Sequence, residues 1–226
     1  MLKSIFISKH SGETLELQQF ADASDIQLTS KSFLEFKPVA FELPSNFDVL
    51  FFGSPRAVVF FQSRHAIPNN VLLASVGGKT TGLLQSMGHE VAFSGENKGS
   101  ISEVAEYFQK WLGDRKVLFP VSTKSLGTIS KGLPAHQALH VECYETVIID
   151  HQLNSAFDAY VFTSPSNVEG FFAKNALPKS STVIAWGEST HLALSAKEVT
   201  TTTVLSNPSI SELINVLSIS GSPIGK

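Results

Sequence analysis

The stretch VFTSPSNVEGFF, residues 161–172, passes from an apolar run through a Ser-Pro pair into a second pattern of spaced apolar residues. Nearly the same change occurs in LFFGSPRAVVFF, residues 50–61. Serine is favoured at a helix N-cap because its hydroxyl accepts a hydrogen bond from a free backbone N–H group, and proline is favoured at the next position. Both stretches therefore predict a buried strand followed by a helix that begins after Ser54 or Ser164.

The two stretches belong to an internal duplication. Residues 47–85 align without a gap on residues 157–195, and twelve of the thirty-nine pairs are identical, against about two or three expected by chance. Further along, SISEV at residues 100–104 matches SISEL at residues 209–213. The chain is therefore predicted to hold two similar domains.

Each copy alternates two kinds of pattern. The runs DVLFF, DAYVF, VLLASV and TVIAW are apolar without alternating polarity, which is typical of strands covered on both faces of a parallel sheet. Patterns with apolar residues three or four positions apart follow them, as in KTTGLLQSM and SISEVAEYFQKWL, and favour helices. This alternation predicts an α/β fold with a doubly wound parallel sheet in each domain.

The segments outside the duplication set the order of the domains. LKSIFISK (residues 2–9) and RKVLFPVSTK (residues 115–124) are each typical of a strand that leads into a helix, and each precedes a further extended stretch. This order predicts a second domain inserted into the first, with two linkers that run side by side as a hinge beside a cleft. The predicted bounds are residues 1–36 and 147–226 for the first domain, 42–138 for the second domain, and 37–41 and 139–146 for the linkers.

The composition argues against several classes of protein. A net charge of −3 and a pI near 6.2 give no general electrostatic reason to bind nucleic acid or an anionic membrane. The single cysteine, Cys143, excludes an intramolecular disulfide and suits a reducing compartment. No apolar run is long enough for a signal peptide or a membrane span. We therefore expect a cytoplasmic protein, and a hinge that must close favours a monomer.

Helix N-termini are the predicted anion sites of this acidic chain. In open parallel sheets, ligands bind at the carboxyl ends of the strands. A helix that starts there offers free N–H groups and the positive end of its dipole. Each copy repeats two such starts: one at Ser54 or Ser164, and one at the turns of residues 77–80 and 187–190. The alternative, that these are ordinary helix caps without a ligand, stays open.

Other motifs argue against nucleotide and metal chemistry. The segment GGKTTG lacks the first glycine of a phosphate-binding loop, because Leu73 occupies that position, and there is no G-x-G-x-x-G or G-x-S-x-G. The seven histidines show no zinc-ligand spacing. Asp48 and Asp158 stand at the amino ends of their strands, where we expect them to cap or orient the incoming loop. We therefore expect no metal and no cofactor.

Several motifs in this order resemble the uroporphyrinogen-III synthase family. They are the FD-x-x-x-FTSPSNVEGFF stretch, the G-x-x-T turn at residues 187–190, the weaker first copies of both, the CYET linker and the interrupted domain order. The resemblance covers nearly the whole chain. It implies two flavodoxin-like domains joined by a two-stranded linker, with the active site in the cleft. It also implies cyclisation of hydroxymethylbilane to uroporphyrinogen III, with loss of water and inversion of ring D through a spiro intermediate, without a cofactor.

This chemistry depends mainly on orientation. The hydroxymethyl group leaves easily to give a stabilised azafulvene cation, and spontaneous closure gives the unrearranged isomer I. The site must therefore hold the last ring with its substituted carbon facing the cation, with some electrostatic help. The carboxylates of the substrate need local donors, since the protein is acidic overall.

The resemblance assigns roles to particular residues. Tyr144 in CYETV corresponds to the tyrosine that assists departure of the hydroxyl as water, and a phenol is a suitable hydrogen-bond donor. The alternative for Tyr144 is a linker tyrosine with a buried ring and a solvated hydroxyl. Arg56 can pair a substrate carboxylate or be an ordinary solvated arginine. The predicted substrate-binding residues are Lys9, Ser54, Arg56, Thr80, Ser164, Ser166, Asn167 and Thr190.

Some positions depart from the family pattern. The first strand ends in Ser8-Lys9 where the family commonly has Thr-Arg, so Lys9 can pair an anion only as a point charge. Gly53 stands where the second copy keeps Thr163. A non-catalytic two-domain protein that binds a polyanionic small molecule shares every structural inference above and remains the alternative. For an enzyme, the expected partners are the substrate and, transiently, the upstream deaminase.

Overall fold

The computed structural model describes residues 2–125 and 127–221. The chain divides into two compact units. Unit one consists of Met1–Glu35 together with Val147–Lys226, and unit two is the intervening segment Phe36–Thr146.

The elements alternate between strand and helix along most of the chain. The strands are β1 (Ser4–Ile7), β2 (Gln27–Ser30), β3 (Leu34–Pro38), β4 (Val49–Phe52), β5 (Leu72–Ser75), β6 (Phe93–Ser94), β7 (Val117–Ser122), β8 (Ala138–Ile148), β9 (Ala159–Phe162), β10 (Thr182–Ala185) and β11 (Thr203–Val204). The helices are α1 (Leu15–Ala23), α2 (Pro55–Gln62), α3 (Lys79–Ser86), α4 (Ile101–Leu112), α5 (Pro165–Lys174), α6 (Glu188–Ser195) and α7 (Ile210–Gly221), with a 3-10 turn at Ser11–Glu13. None of the helices in this described part of the chain combines the length and apolar character that a membrane span requires.

Unit one contains a five-stranded sheet in the order β11-β10-β9-β1-β2, and each of its strand pairs is parallel. Successive residues of a strand point to opposite faces of the sheet. Accordingly, Phe6 lies in an apolar cluster on one face with Phe33 and Phe171, and Ile5 and Ile7 lie in a second cluster on the other face. The sheet is thus covered on both sides, which explains why its strands lack polar alternation.

Unit two contains a six-stranded sheet in the order β3-β8-β7-β4-β5-β6. Leu50 and Phe52 of β4 belong to one apolar cluster, and Val49 and Phe51 belong to another. The prediction of an α/β fold with parallel strands buried on both faces is therefore confirmed. Residues 139–146 form the middle of β8, which pairs with β7 in parallel.

The two Ser-Pro pairs start helices as the sequence predicts. The Ser54 hydroxyl accepts a hydrogen bond from the Ala57 backbone N–H over 3.1 Å, at the start of α2. The Ser164 hydroxyl accepts one from the Asn167 backbone N–H over 3.3 Å, at the start of α5. Each serine has an extended backbone, and proline is the first helical residue in both cases. Both helices therefore begin at the carboxyl ends of their strands, β4 and β9.

Asp48 and Asp158 join neighbouring strands at the amino ends of the sheets. Asp158 Oδ2 accepts hydrogen bonds from the backbone N–H groups of Lys3 and Ser4 over 2.8 and 2.9 Å. Asp48 Oδ2 accepts one from the Lys116 backbone N–H over 2.8 Å. The expectation that these carboxylates orient an incoming loop is confirmed in both units. The hydrogen bond from Lys3 is the largest cause of a lowered pKa of Asp158.

The expectation that residues 115–124 lead into a helix is wrong for the described residues. After β7, the described residues from 123 to 137 form turns and no helix. The reason is local chemistry: Gly127 adopts a positive φ of 60°, and Pro134 lacks a backbone N–H. Ile129 and Leu133 from these turns pack against the cluster that contains Phe108 of α4. Apolar side chains of a loop therefore cover the sheet here, where unit one uses Leu17 of α1.

Candidate active site

A pocket of about 340 Å³ opens in unit two beside the carboxyl ends of β4 and β7. Apolar side chains form much of its wall, among them Phe51, Val76 and Phe119. Its described lining residues include no Asp, Glu, Lys, Arg or His. Such a wall suits a flat, uncharged ring with polar groups at its edge.

Hydroxyl groups supply most of the polar side chains of this pocket. They come from the helix start of α2, the end of β7, the loop that follows β7, and β8. The residues are Ser54, Ser122, Ser125, Thr128, Ser130 and Tyr144. Only Ser54 and Tyr144 were among the predicted site residues; the hydroxyl-rich sequence after VLFP was the signal for the others.

Tyr144 has a fixed ring and an unoccupied hydroxyl. It lies on β8 opposite Ser122, just after a shift in the β7–β8 register, and is only 8% exposed. Its ring stacks on Phe60 with centroids 5.1 Å apart and meets Phe36 edge-on at 6.3 Å. The hydroxyl makes no hydrogen bond to any other residue that the structure describes. The arrangement leaves a donor for a ligand while the aromatic contacts hold the ring.

Arg56 lies in the first turn of α2 and packs on the same aromatic group. Its guanidinium carbon lies 3.5 Å from the ring centroid of Phe36, which also contacts Tyr144. None of the described acidic residues forms an ion pair with it. A stacked guanidinium without a carboxylate partner can still bind an anion through its edge. Arg56 and Tyr144 are therefore linked through one phenylalanine.

In unit one, the ends of β1 and β9 are tied together through Ser8 and Thr163. The Ser8 hydroxyl accepts from the Thr163 backbone N–H over 2.8 Å, and the Thr163 hydroxyl donates to the Ser8 carbonyl over 2.6 Å. The next residue, Lys9, places its Nζ 3.5 Å from Glu13 and 5.8 Å from the Trp186 ring centroid. The Glu13 contact is partly exposed and therefore weak, so Lys9 can exchange it for a ligand anion.

Asn167 is buried and has no free polar group. Its Oδ1 accepts hydrogen bonds from the Phe33 backbone N–H over 2.8 Å and from the Ser32 hydroxyl over 3.4 Å. Its Nδ2 donates to the hydroxyls of Ser164 over 3.0 Å and Thr163 over 3.3 Å. These four contacts use the capacity of a carboxamide. The geometry favours a role in holding the start of α5 in place.

The remaining predicted residues lie at helix starts. Ser166 is half-exposed in the first turn of α5. Thr80 and Thr190 occupy equivalent positions in α3 and α6, are each 2% exposed, and donate their backbone N–H groups to Gly77 and Gly187. Neither threonine hydroxyl forms a hydrogen bond with another described residue. The structure thus brings together Ser54, Arg56 and Tyr144 within unit two, and Lys9, Ser164, Ser166, Asn167 and Thr190 belong to unit one.

Each unit is an α/β unit with a sheet of mainly parallel strands, and unit two carries a pocket without charged side chains among its described lining residues, at the carboxyl edge of its sheet. These features define the class as a two-unit α/β protein with a pocket at a sheet edge. No group of three metal-ligating side chains occurs among the described residues. The family model described as Uroporphyrinogen-III synthase HemD matches residues 22–215. The chain therefore belongs to the uroporphyrinogen-III synthase family, which comprises cyclising lyases of tetrapyrrole biosynthesis.

Solved structures share the fold. A uroporphyrinogen-III synthetase from Helicobacter pylori is 19% identical over 97% of this chain and 99% of its own, with a TM-score of 0.70. A mutant uroporphyrinogen III synthase from Thermus thermophilus is 12% identical over 96% of this chain and 98% of its own, with a TM-score of 0.54. A sequence comparison with curated proteins gave no match. The two structures support the two-domain α/β fold.

Proposed function

We propose that the chain carries out its family's reaction at the unit-two pocket. The reaction closes hydroxymethylbilane to uroporphyrinogen III, with loss of water and inversion of ring D through a spiro intermediate. The observation that carries the proposal is Tyr144, whose ring stacks on Phe60 and whose hydroxyl has no partner among the described residues. It lines a pocket in which no described lining residue is charged. Family membership supports the same substrate.

Tyr144 acts at the first step. The carbon–oxygen bond of the hydroxymethyl group breaks, the departing oxygen takes the phenolic proton of Tyr144 and leaves as water, and the pyrrole keeps the positive charge as an azafulvene cation. The proton lost when the macrocycle closes returns to the phenolate. A phenol donates a hydrogen bond to the departing oxygen and so stabilises the negative charge that develops there. Because the ring of Tyr144 is already packed, little motion is needed to bring the donor into place.

The pocket wall acts on the steps that follow. The faces of aromatic rings are electron-rich and attract a delocalised cation. Phe51, Phe119 and Tyr144 line the pocket, and no described lining residue is a carboxylate that could trap the cation as an ion pair. The wall therefore holds ring D in one orientation until its substituted carbon attacks, and the spiro intermediate then fragments and recloses.

Cationic and helix-terminal groups bind the substrate carboxylates. In unit two, these are Arg56 and the start of α2 at Ser54, with Thr80 at the start of α3. In unit one, they are Lys9, the start of α5 at Ser164 and Ser166, and the start of α6 at Thr190. Asn167 supports this set by fixing the α5 start. Local donors of this kind bind anions although the net charge is −3.

A product assay tests the function. Purified protein is supplied with hydroxymethylbilane made in situ by its deaminase, the products are oxidised, and the two porphyrin isomers are separated. We expect mainly isomer III. Isomer I alone, at the level of a reaction without protein, would overturn the enzymatic proposal and would favour the non-catalytic binding protein.

The proposal extends to the setting of the reaction. Because the substrate closes spontaneously to the wrong isomer, transient contact with the upstream deaminase would shorten its exposure to water. The single, buried Cys143 suits the reducing cytoplasm. We expect a monomer, which light scattering measures directly; a stable dimer would contradict that expectation.

A further inference from the structure

The loop after β7 forms one wall of the unit-two pocket and is held by a histidine that the mechanism above does not use. Gly127 and Ser130 of this loop line the pocket. His140 Nε2 lies 2.8 Å from the Ser130 hydroxyl. His140 is on β8 opposite Phe119 of β7, and a shift in the β7–β8 register separates it from Tyr144. The two side chains lie on different faces of the sheet, since Phe119 belongs to one apolar cluster and Tyr144 to the other.

The direction of the hydrogen bonds follows from the partners. The Ser130 hydroxyl donates to the Gly127 carbonyl over 3.0 Å, so its oxygen is free to accept from the Nε2–H of His140. Gly127 has a positive φ of 60°, a backbone conformation that glycine adopts more readily than other residues. The chain Gly127, Ser130, His140 therefore connects the pocket loop to β8.

The ring of His140 also packs against a residue of the pocket wall. It stacks on Phe119, with ring centroids 5.3 Å apart and planes inclined by 19°. Phe119 is 4% exposed and lines the pocket. One histidine thus contacts two wall residues, Ser130 by a hydrogen bond and Phe119 by stacking.

We propose that His140 is a positioning residue that fixes the Ser130 and Phe119 side of the pocket and thereby raises the fraction of product formed as isomer III. This inference rests on the proposed function of the pocket. A wall that can shift lets ring D bind in more than one orientation, and the unrearranged closure then competes. Burial lowers the pKa of His140, which favours a neutral ring beside a pocket without charged lining residues.

Three variants separate the two contacts. His140→Phe keeps an aromatic ring on Phe119 and removes the donor, and Ser130→Ala removes the acceptor. His140→Gln restores an N–H donor without the ring. His136→Phe is the matched control, because His136 is exposed in the same loop and makes no hydrogen bond with another described residue.

The isomer ratio is the main readout, measured with thermal unfolding of the full chain. We expect His140→Phe and Ser130→Ala each to raise the ratio of isomer I to isomer III about fivefold, as for loss of one hydrogen bond. We expect the double variant to be no worse than either single variant, since both remove the same contact. We expect His140→Gln to recover much of the ratio and His136→Phe to match the unaltered chain.

Either of two results would overturn the inference. One is an unchanged isomer ratio in both His140→Phe and Ser130→Ala, even if the rate or the unfolding temperature falls, because the contact would then be structural only. The other is an equal change in His136→Phe. Failure of the proposed function looks different, because the unaltered chain would then produce only isomer I.

Discussion

Tyr144 and Tyr160 are both buried tyrosines, but their hydroxyls have different environments. The Tyr160 hydroxyl accepts a hydrogen bond from the Phe157 backbone N–H over 3.1 Å, and burial raises the pKa of Tyr160. The Tyr144 hydroxyl has no partner among the described residues. Because Tyr144 lines the pocket, a ligand there can accept a hydrogen bond from its hydroxyl.

Removing the Tyr144 hydroxyl should slow catalysis and leave the fold intact. We expect Tyr144→Phe to lower kcat by about tenfold or more, because a donor to the leaving oxygen is lost, while the packing on Phe60 is retained. Steady-state kinetics measure this. Tyr160→Phe is the control: it should lower the unfolding temperature with little change in kcat. A Tyr144→Phe chain with unaltered kcat would remove Tyr144 from the mechanism.

Arg56 should affect substrate binding more than turnover. We expect Arg56→Ala to raise KM by about five- to tenfold at low salt, since one charge-assisted contact to a carboxylate is lost. Arg56→Lys should recover only part of it, because an ammonium cannot reproduce the planar stack on Phe36. Arg64→Ala makes the same charge change at an exposed site and is the control. Equal KM values in the two alanine variants would mean that Arg56 is an ordinary solvated arginine.

At the scale of the element, the two Ser-Pro helices share a cap but differ in what the cap supports. Asn167 of α5 is replaced by Ala57 in α2. In α5, the carboxamide connects the helix start to Ser32 and Phe33, which follow β2. In α2, the corresponding space faces the pocket, since Ala57 is a lining residue. The same local start therefore supports a closed contact in one unit and an open pocket in the other.

Loss of Asn167 should destabilise unit one. We expect Asn167→Ala to reduce the free energy of unfolding by about 2–4 kcal/mol, because the Phe33 backbone N–H would be buried without a partner. Urea denaturation followed by circular dichroism measures it. Ser166→Ala, one position earlier and half-exposed, should cost little. Near-equal stabilities of these two variants would show that the Asn167 contacts contribute nothing.

The carboxylate at the start of β9 predicts a pH dependence. The pKa of Asp158 is lowered in the folded chain, chiefly by the hydrogen bond from Lys3, so the unfolded state binds the proton more readily. The resulting stabilisation is present above the ordinary pKa of an aspartate and is lost as the pH falls through the lowered value. Asp158→Asn should therefore weaken the loss of stability below about pH 4. Urea midpoints measured from pH 3 to pH 7 test this, and parallel curves for both chains would contradict it.

At the scale of the whole molecule, the duplication explains the similarities and the loop after β7 explains the main difference. Both units use a sheet of mainly parallel strands, an aspartate that joins two strands, and a Ser-Pro helix start. After β1, the chain forms α1, whereas after β7 it forms turns that line a pocket. The hinge at residues 37–41 and 139–146 stays a prediction.

The sequence by itself determined the features that depend on local patterns. Apolar runs without alternation identified strands buried on both faces, Ser-Pro pairs identified helix starts, and the 110-residue shift identified the duplication. The family followed from the order of these motifs. Each of these signals is contained within a few neighbouring residues or in their repetition along the chain.

Only the tertiary structure decided which polar groups are free. The sequence predicts Tyr144 as catalytic and Asn167 as substrate-binding. In the structure, Asn167 accepts hydrogen bonds from residues 134 and 135 positions away, and the Tyr144 hydroxyl beside Phe60 has no partner among the described residues. The contact between His140 and Ser130 gave no signal in the sequence, because it arises from a loop that folds back onto β8. Whether a hydrogen-bonding group is occupied depends on partners distant in the chain, and local patterns carry no information about them.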